Sequence, residues 1–170
     1  TLFTGAPGGA FARHPAHLGG SLDVGTMSRV ALGDLDGDGD LDLLVATQVD
    51  ETQRRGALFA WENVGTPTAP HFVPRPLALP PDTRYDLAPA LGDFLGGDGR
   101  PDLLVGGFDG SVAVLRATGP FTFESVGPAL RIPRGSNTTP ALGDLDGDGD
   151  LDLLVGENSG YVNAYRNDGT

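Results

Sequence analysis

Two nine-residue segments carry a carboxylate at every second position. Asp34, Asp36, Asp38, Asp40 and Asp42 form the first, and Asp144, Asp146, Asp148, Asp150 and Asp152 the second. Glycine stands sixth in each, as Gly39 and Gly149. Alternate residues of a tight loop can aim their oxygens at one centre, and glycine permits the sharp turn. Hard oxygen donors in this number select Ca²⁺, whereas Mg²⁺ demands a smaller octahedron and keeps its waters. Transition metals recruit His or Cys; the chain has no Cys, and no His lies in either segment. Side-chain ligation is expected at positions 1, 3, 5 and 9. Position 7 is expected to bind through its backbone carbonyl, which leaves the carboxylates of Asp40 and Asp150 for water or outer contacts.

The segments open like an EF-hand loop but do not end like one. Position 12 is Val45 or Val155 rather than Glu, so the ninth residue must close the site. A third segment is degenerate and one residue longer. Asp93 begins it, Asp98-Gly99 aligns with Asp38-Gly39, and Asp102 aligns with Asp42. Leu95 or Gly96 falls where Asp36 would be, and Arg100 sits at position 7 with only its carbonyl to offer. A weaker site, or none, is expected there. Carboxylates this close repel when nothing neutralises them, so two identical copies argue against simple solvated turns.

Net charge is −12, from 23 acids and 11 bases, and thirteen of the acids lie in these three segments. The remaining ten acids are matched by the bases. Such a chain gains nothing from nucleic acid. No apolar run approaches the roughly 18 residues of a membrane-spanning helix, so no membrane insertion is expected, and no signal peptide is evident.

The segments belong to an internal repeat. Ala31-Leu-Gly-Asp34, Ala90-Leu-Gly-Asp93 and Ala141-Leu-Gly-Asp144 precede the loops, and Asp-Leu-Leu-Val follows them at 42–45, 102–105 and 152–155. An alternating block comes next, from Gly56, Gly110 and Gly160. A looser aromatic-led segment follows at Phe72–Leu79 and Phe121–Ile132, with Phe11–Leu18 as its cognate upstream. Gly and Pro make up 41 of 170 residues, which excludes long helices. Four short strands per unit of about 50 residues describe the blade of a β-propeller. The fold class expected is therefore all-β, with four-stranded antiparallel blades and about three blade-equivalents. The units run 1–28 (an incomplete preceding blade with strand 4), 29–80, 88–133 and 139–170 (a blade lacking strand 4). Residues 10–18 are a candidate to complete the sheet whose third strand is Tyr161–Asn167.

The text Ala31-Leu-Gly-Asp-Leu-Asp-Gly-Asp-Gly-Asp-Leu-Asp-Leu-Leu-Val45, with its copy at 141–155, resembles the FG-GAP or VCBS-type repeats of integrin α-like β-propellers. Trp61–Phe72 and Tyr165–Thr170 resemble that family's third strand and its exit. The resemblance implies Ca²⁺ in the loop between strands 1 and 2. It also implies a secreted, extracellular or periplasmic setting and an adhesive or binding role; some relatives are lectins. Such propellers carry six or seven blades, so the chain is expected either to be part of a longer propeller or to pair as a homodimer of two half-rings.

Catalytic motifs are missing. The three histidines, His14, His17 and His71, show no nucleophile or metal spacing. No Gly-x-Ser-x-Gly, His-Glu-x-x-His or Gly-x-x-x-x-Gly-Lys occurs. A glycosidase needs a free carboxylate pair, and the clustered aspartates have ligand roles instead. No enzyme activity is expected, and a glycan-active enzyme is the most distant reading. The partner is expected to be a protein or a glycan. Candidate recognition elements are the longer loop Thr47–Arg55, the rim residues Tyr85–Pro89 and Gly135–Pro140 with Asn137 and Thr138, and the aromatics Trp61, Tyr161 and Tyr165.

Overall fold

A computed structural model of the chain describes residues 2–5, 11–14, 22–48, 56–66, 68–77, 88–133 and 135–169. Strands and turns account for these residues, and no helix occurs among them. A two-stranded ribbon, β1 (Leu2–Gly5) and β2 (Phe11–His14), comes first. The first sheet follows as β3 (Arg29–Gly33), β4 (Asp42–Thr47), β5 (Ala57–Asn63) and β6 (Phe72–Arg75). The second holds β7 (Ala88–Gly92), β8 (Asp102–Gly106), β9 (Ser111–Gly119), β10 (Thr122–Ser125) and β11 (Leu130–Arg131). The third holds β12 (Thr139–Gly143), β13 (Asp152–Gly156) and β14 (Val162–Tyr165). Every pairing is antiparallel. Each sheet is a meander of neighbouring strands, the arrangement of propeller blades.

Two particulars depart from the sequence reading. The fourth strand of the second sheet is broken: β10 pairs with the far half of β9 and β11 with its near half. Gly127, at φ 73°, and Pro128 stand between them, and neither continues a ladder comfortably. Second, Phe11–His14 pairs with β1, and the third sheet has three strands among the described residues; residues 10 and 15–18 lie outside them.

The sheets stack because each strand alternates its side chains between two faces. One face of the first sheet presents Leu44 and Ala60 side by side, with Ala46 and Leu58 in the next row. It packs against Leu103, Val105 and Leu115 of the second sheet. The opposite face of the second sheet presents Leu104 and Val112, which pack against Val155 and Leu153 of the third. The Leu-Leu-Val runs of β4 and β8 are both buried, and β8 lies between the first and third sheets, as such a run must.

The inner strands approach most closely at glycine. A Cβ on Gly92 would lie 2.8 Å from Leu151 and 2.9 Å from Leu142 of the third sheet. Gly92→Ala is expected to cost about 1–3 kcal/mol by overpacking this seam. Urea unfolding checks it; an unchanged midpoint would mean that the seam has slack.

Candidate metal centre

All three acidic loops connect the first and second strands of a sheet, at the same end of the stack. Left-handed glycines bend each one: Gly37 and Gly39 in the first, Gly96, Gly97 and Gly99 in the second, Gly147 and Gly149 in the third. Bending exposes a row of backbone N–H groups, and the aspartates accept from them. Asp34 takes Gly37 N–H and Gly39 N–H at 2.7 and 3.0 Å. Asp36 accepts from Asp38 N–H, and Asp38 from Asp40 N–H. Asp144, Asp146 and Asp148 repeat the pattern bond for bond.

The aspartate that closes each loop is different. Asp42, Asp102 and Asp152 are buried. One oxygen of Asp42 accepts from Leu35 N–H, and the other reaches across the sheet to Asn63 N–H, both at 2.8 Å. Asp152 likewise joins Leu145 N–H and Asn167 N–H. Asp102 joins Phe94 N–H and Leu95 N–H to Ala117 N–H. Each fastens the start of its loop to the end of the third strand. This second role is not visible in the spacing.

Asp34, Asp36 and Asp42 bring one carboxylate oxygen each to within 4.8 Å of one another, and Asp144, Asp146 and Asp152 do the same. Either triad could hold a metal ion. Three anionic oxygens without a soft donor suit a hard divalent cation. Asp38 and Asp148, expected as side-chain ligands, stand outside the triads. Asp40 is buried and Asp150 partly so; each N–H is taken up by the preceding aspartate. The Asp93 loop forms no such cluster among the described residues. Asp93 accepts from Gly99 N–H and Asp98 from Arg100 N–H, while one buried oxygen of Asp93 has no hydrogen-bond partner.

Electrostatics separate the two triads. Burial, opposed by its two backbone bonds and reinforced by Asp36 and Asp38, pushes Asp42 up to about 6. Asp36 is raised by desolvation and then by Asp38, Glu62 and Asp34. Asp40 is raised by desolvation and then by Asp38 and Asp34. Asp152 instead lies below the ordinary range, held by Asn167 N–H and Leu145 N–H and then by the Arg166 charge. Arg166 lies 3.0 Å from Asp146 and 3.6 Å from Asp148. Its counterpart in the first sheet is Glu62, which is paired with Arg75. Arg166 therefore places a guanidinium against the third loop, shared with Asp168 at 2.6 Å, whereas Arg75 of the first sheet is paired with Glu62 and acts on Asp36 only through its charge.

Arg166 is largely exposed, so its competition is modest. Arg166→Ala is expected to tighten cation binding at the third loop by about two- to fivefold, the equivalent of a surface ion pair. Terbium luminescence titration measures it, and unchanged affinity would show that Arg166 does not compete. Sequence reasoning overlooked this residue, although Asn63 and Asn167 recur at one repeat position and draw the eye to their neighbours.

The remaining candidate residues are placed as follows. Thr138 is buried, accepting from Gly107 N–H and donating to Ser111 C=O, so it lines no rim pocket. Asn137 has φ 51° and a buried side-chain oxygen without a partner. Tyr161 is exposed, whereas Trp61 and Tyr165 are partly covered. His71 is exposed. Residues 49–55 of the long loop, residues 85–87 of the rim, and His17 lie outside the described residues.

Meandering sheets stacked face to face, each with a glycine-bent acidic loop between its first two strands, define a propeller-type repeat protein. Residues 28–58 match the FG-GAP repeat, and residues 95–155 match the FG-GAP-like repeat. These two matches support an FG-GAP-like repeat family, as Ala31–Val45 and its copy led one to expect. No curated protein matches it. No helix among the described residues is long and apolar enough to cross a membrane.

Proposed function

We propose that the chain is a calcium-binding β-propeller segment that acts as a non-catalytic scaffold for adhesion or protein contact outside the cytoplasm. The observation that carries this reading is the repeated carboxylate triad, Asp34/Asp36/Asp42 and Asp144/Asp146/Asp152. Asp38 and Asp148, with the carbonyls of Asp40 and Asp150, complete the ligand sets. A bound Ca²⁺ supplies the positive charge that lets these acidic turns close. The Asp93 loop, with Arg100 in its seventh place, is the weak or silent third copy. Millimolar extracellular Ca²⁺ suits sites of modest affinity.

Calorimetric titration of the chelated protein with CaCl₂ is expected to show two ions per chain. No heat and no uptake would refute the reading. The scaffold's partner is a protein, bound on the end of the stack away from the ions. A glycan ligand is the second reading, favoured by one observation: Tyr161 is 74% exposed at that end, where its ring is free to stack on a sugar. Binding on a glycan array that is lost in Tyr161→Ala would select it over the first.

A further inference from the structure

The first acidic loop is not built by its own sheet alone. Leu35 stands between Asp34 and Asp36, two members of its triad. Both backbone groups of Leu35 are tied. Its N–H donates to Asp42 at 2.8 Å, and its C=O accepts from Phe121 N–H at 3.1 Å. Phe121 belongs to the second sheet, in the turn between β9 and β10. Leu35 is 7% exposed and Phe121 8%, and both lie in one apolar core with Leu103, Leu115 and Phe123. The stretch that carries two of the three carboxylates is therefore held from across the seam between sheets.

Phe121 takes this place against its own preference. Its φ is 51°, directly after Pro120, where a tight turn ordinarily puts glycine or asparagine. A bulky residue persists at positive φ only where its surroundings over-determine it. Here those surroundings are the Leu35 carbonyl and the core beneath it. Phe94 and Leu145 hold the place of Leu35 in the other two loops. Among the described residues, neither carbonyl receives an N–H from a neighbouring sheet.

Resting on the calcium reading above, we infer that Phe121 is a positioning residue for the first cation site. It holds Leu35, and through Leu35 the spacing of Asp34 and Asp36. Coupling of this kind is reciprocal: fixing Asp34 and Asp36 also fixes Leu35 and tightens the seam between the first and second sheets. The third loop repeats the nine residues of the first without this clamp among the described residues, so it serves as an internal control.

The test is calorimetric titration of the full chain with CaCl₂, with and without Phe121→Gly, which suits the turn and removes the side chain. Asp144→Ala leaves the first loop as the strong site, and Asp34→Ala leaves the third. With Asp144→Ala, Phe121→Gly is expected to weaken binding by about three- to tenfold; with Asp34→Ala, by less than about twofold. Unchanged affinity in the first background, or an equal loss in both, would overturn the proposal, because a mere core filler does not choose between loops. Amide hydrogen exchange of the wild type needs no substitution. CaCl₂ is expected to slow Phe121 N–H by about threefold more than Val126 N–H, which is bonded to Val114 just past β10. Equal slowing of the two would also overturn it. A wild type that takes up no ion would refute the calcium reading itself, and this proposal with it. Two ions bound with Phe121 indifferent would overturn this proposal alone.

Discussion

Stripping calcium from the purified chain should lower its melting temperature by roughly 10 °C or more. A ligand bound only by the folded state adds RT ln(1 + [L]/Kd), about 2.7 kcal/mol per site at a hundredfold excess. For a chain of this size each kcal/mol moves the midpoint by about 2–4 °C. Two triads contribute, at Asp34/Asp36/Asp42 and Asp144/Asp146/Asp152. The apo loops also keep their mutual repulsion, which raises Asp36 and Asp40 once their desolvation is counted. Superimposable melting curves with EDTA and with millimolar CaCl₂ would exclude a structural ion.

The second large effect separates ion binding from sheet construction. Asp102 is buried, and three backbone N–H groups, of Phe94, Leu95 and Ala117, depend on it. Asp102→Ala leaves them without an acceptor. A stranded buried donor costs about 1–3 kcal/mol, and of the three only Ala117 N–H is fully buried, so a loss of about 2–4 kcal/mol is expected. That corresponds to roughly 10 °C, equal in calcium and in chelator. Asp34→Ala should behave oppositely: a clear loss in calcium and a small one in chelator, since its backbone bonds are exposed. Calorimetry of both variants under both conditions checks the contrast. Wild-type melting by Asp102→Ala would show that the cross-sheet tie carries no weight.

Much of this was legible in the residues themselves. Of the alternating aspartates around Gly39 and Gly149, those at positions 1, 3 and 9 bring their oxygens together, and those at position 5, expected to join them, stand outside. The apolar runs at 43–45 and 103–105 announce strands covered on both faces. What could not be read depends on register. The second role of Asp42, Asp102 and Asp152 appears only once Asn63, Ala117 and Asn167 are known to lie across the sheet. Arg166 reaches back to Asp146 and Asp148 across twenty and eighteen positions of sequence, a distance no local pattern spans. Thr138 looked like a free hydroxyl until the turn at Gly107 folded over it.

The buried tie of the first sheet joins β4 to Leu35, just past β3, and to Asn63 of β5, whereas β6 pairs, among the described residues, with β5 only. Under a pulling force the four strands would thus yield unequally. The outermost would unzip first, as a short release of length, while the three behind it stayed locked around their carboxylate. A sheet built this way gives a little under load before it gives way.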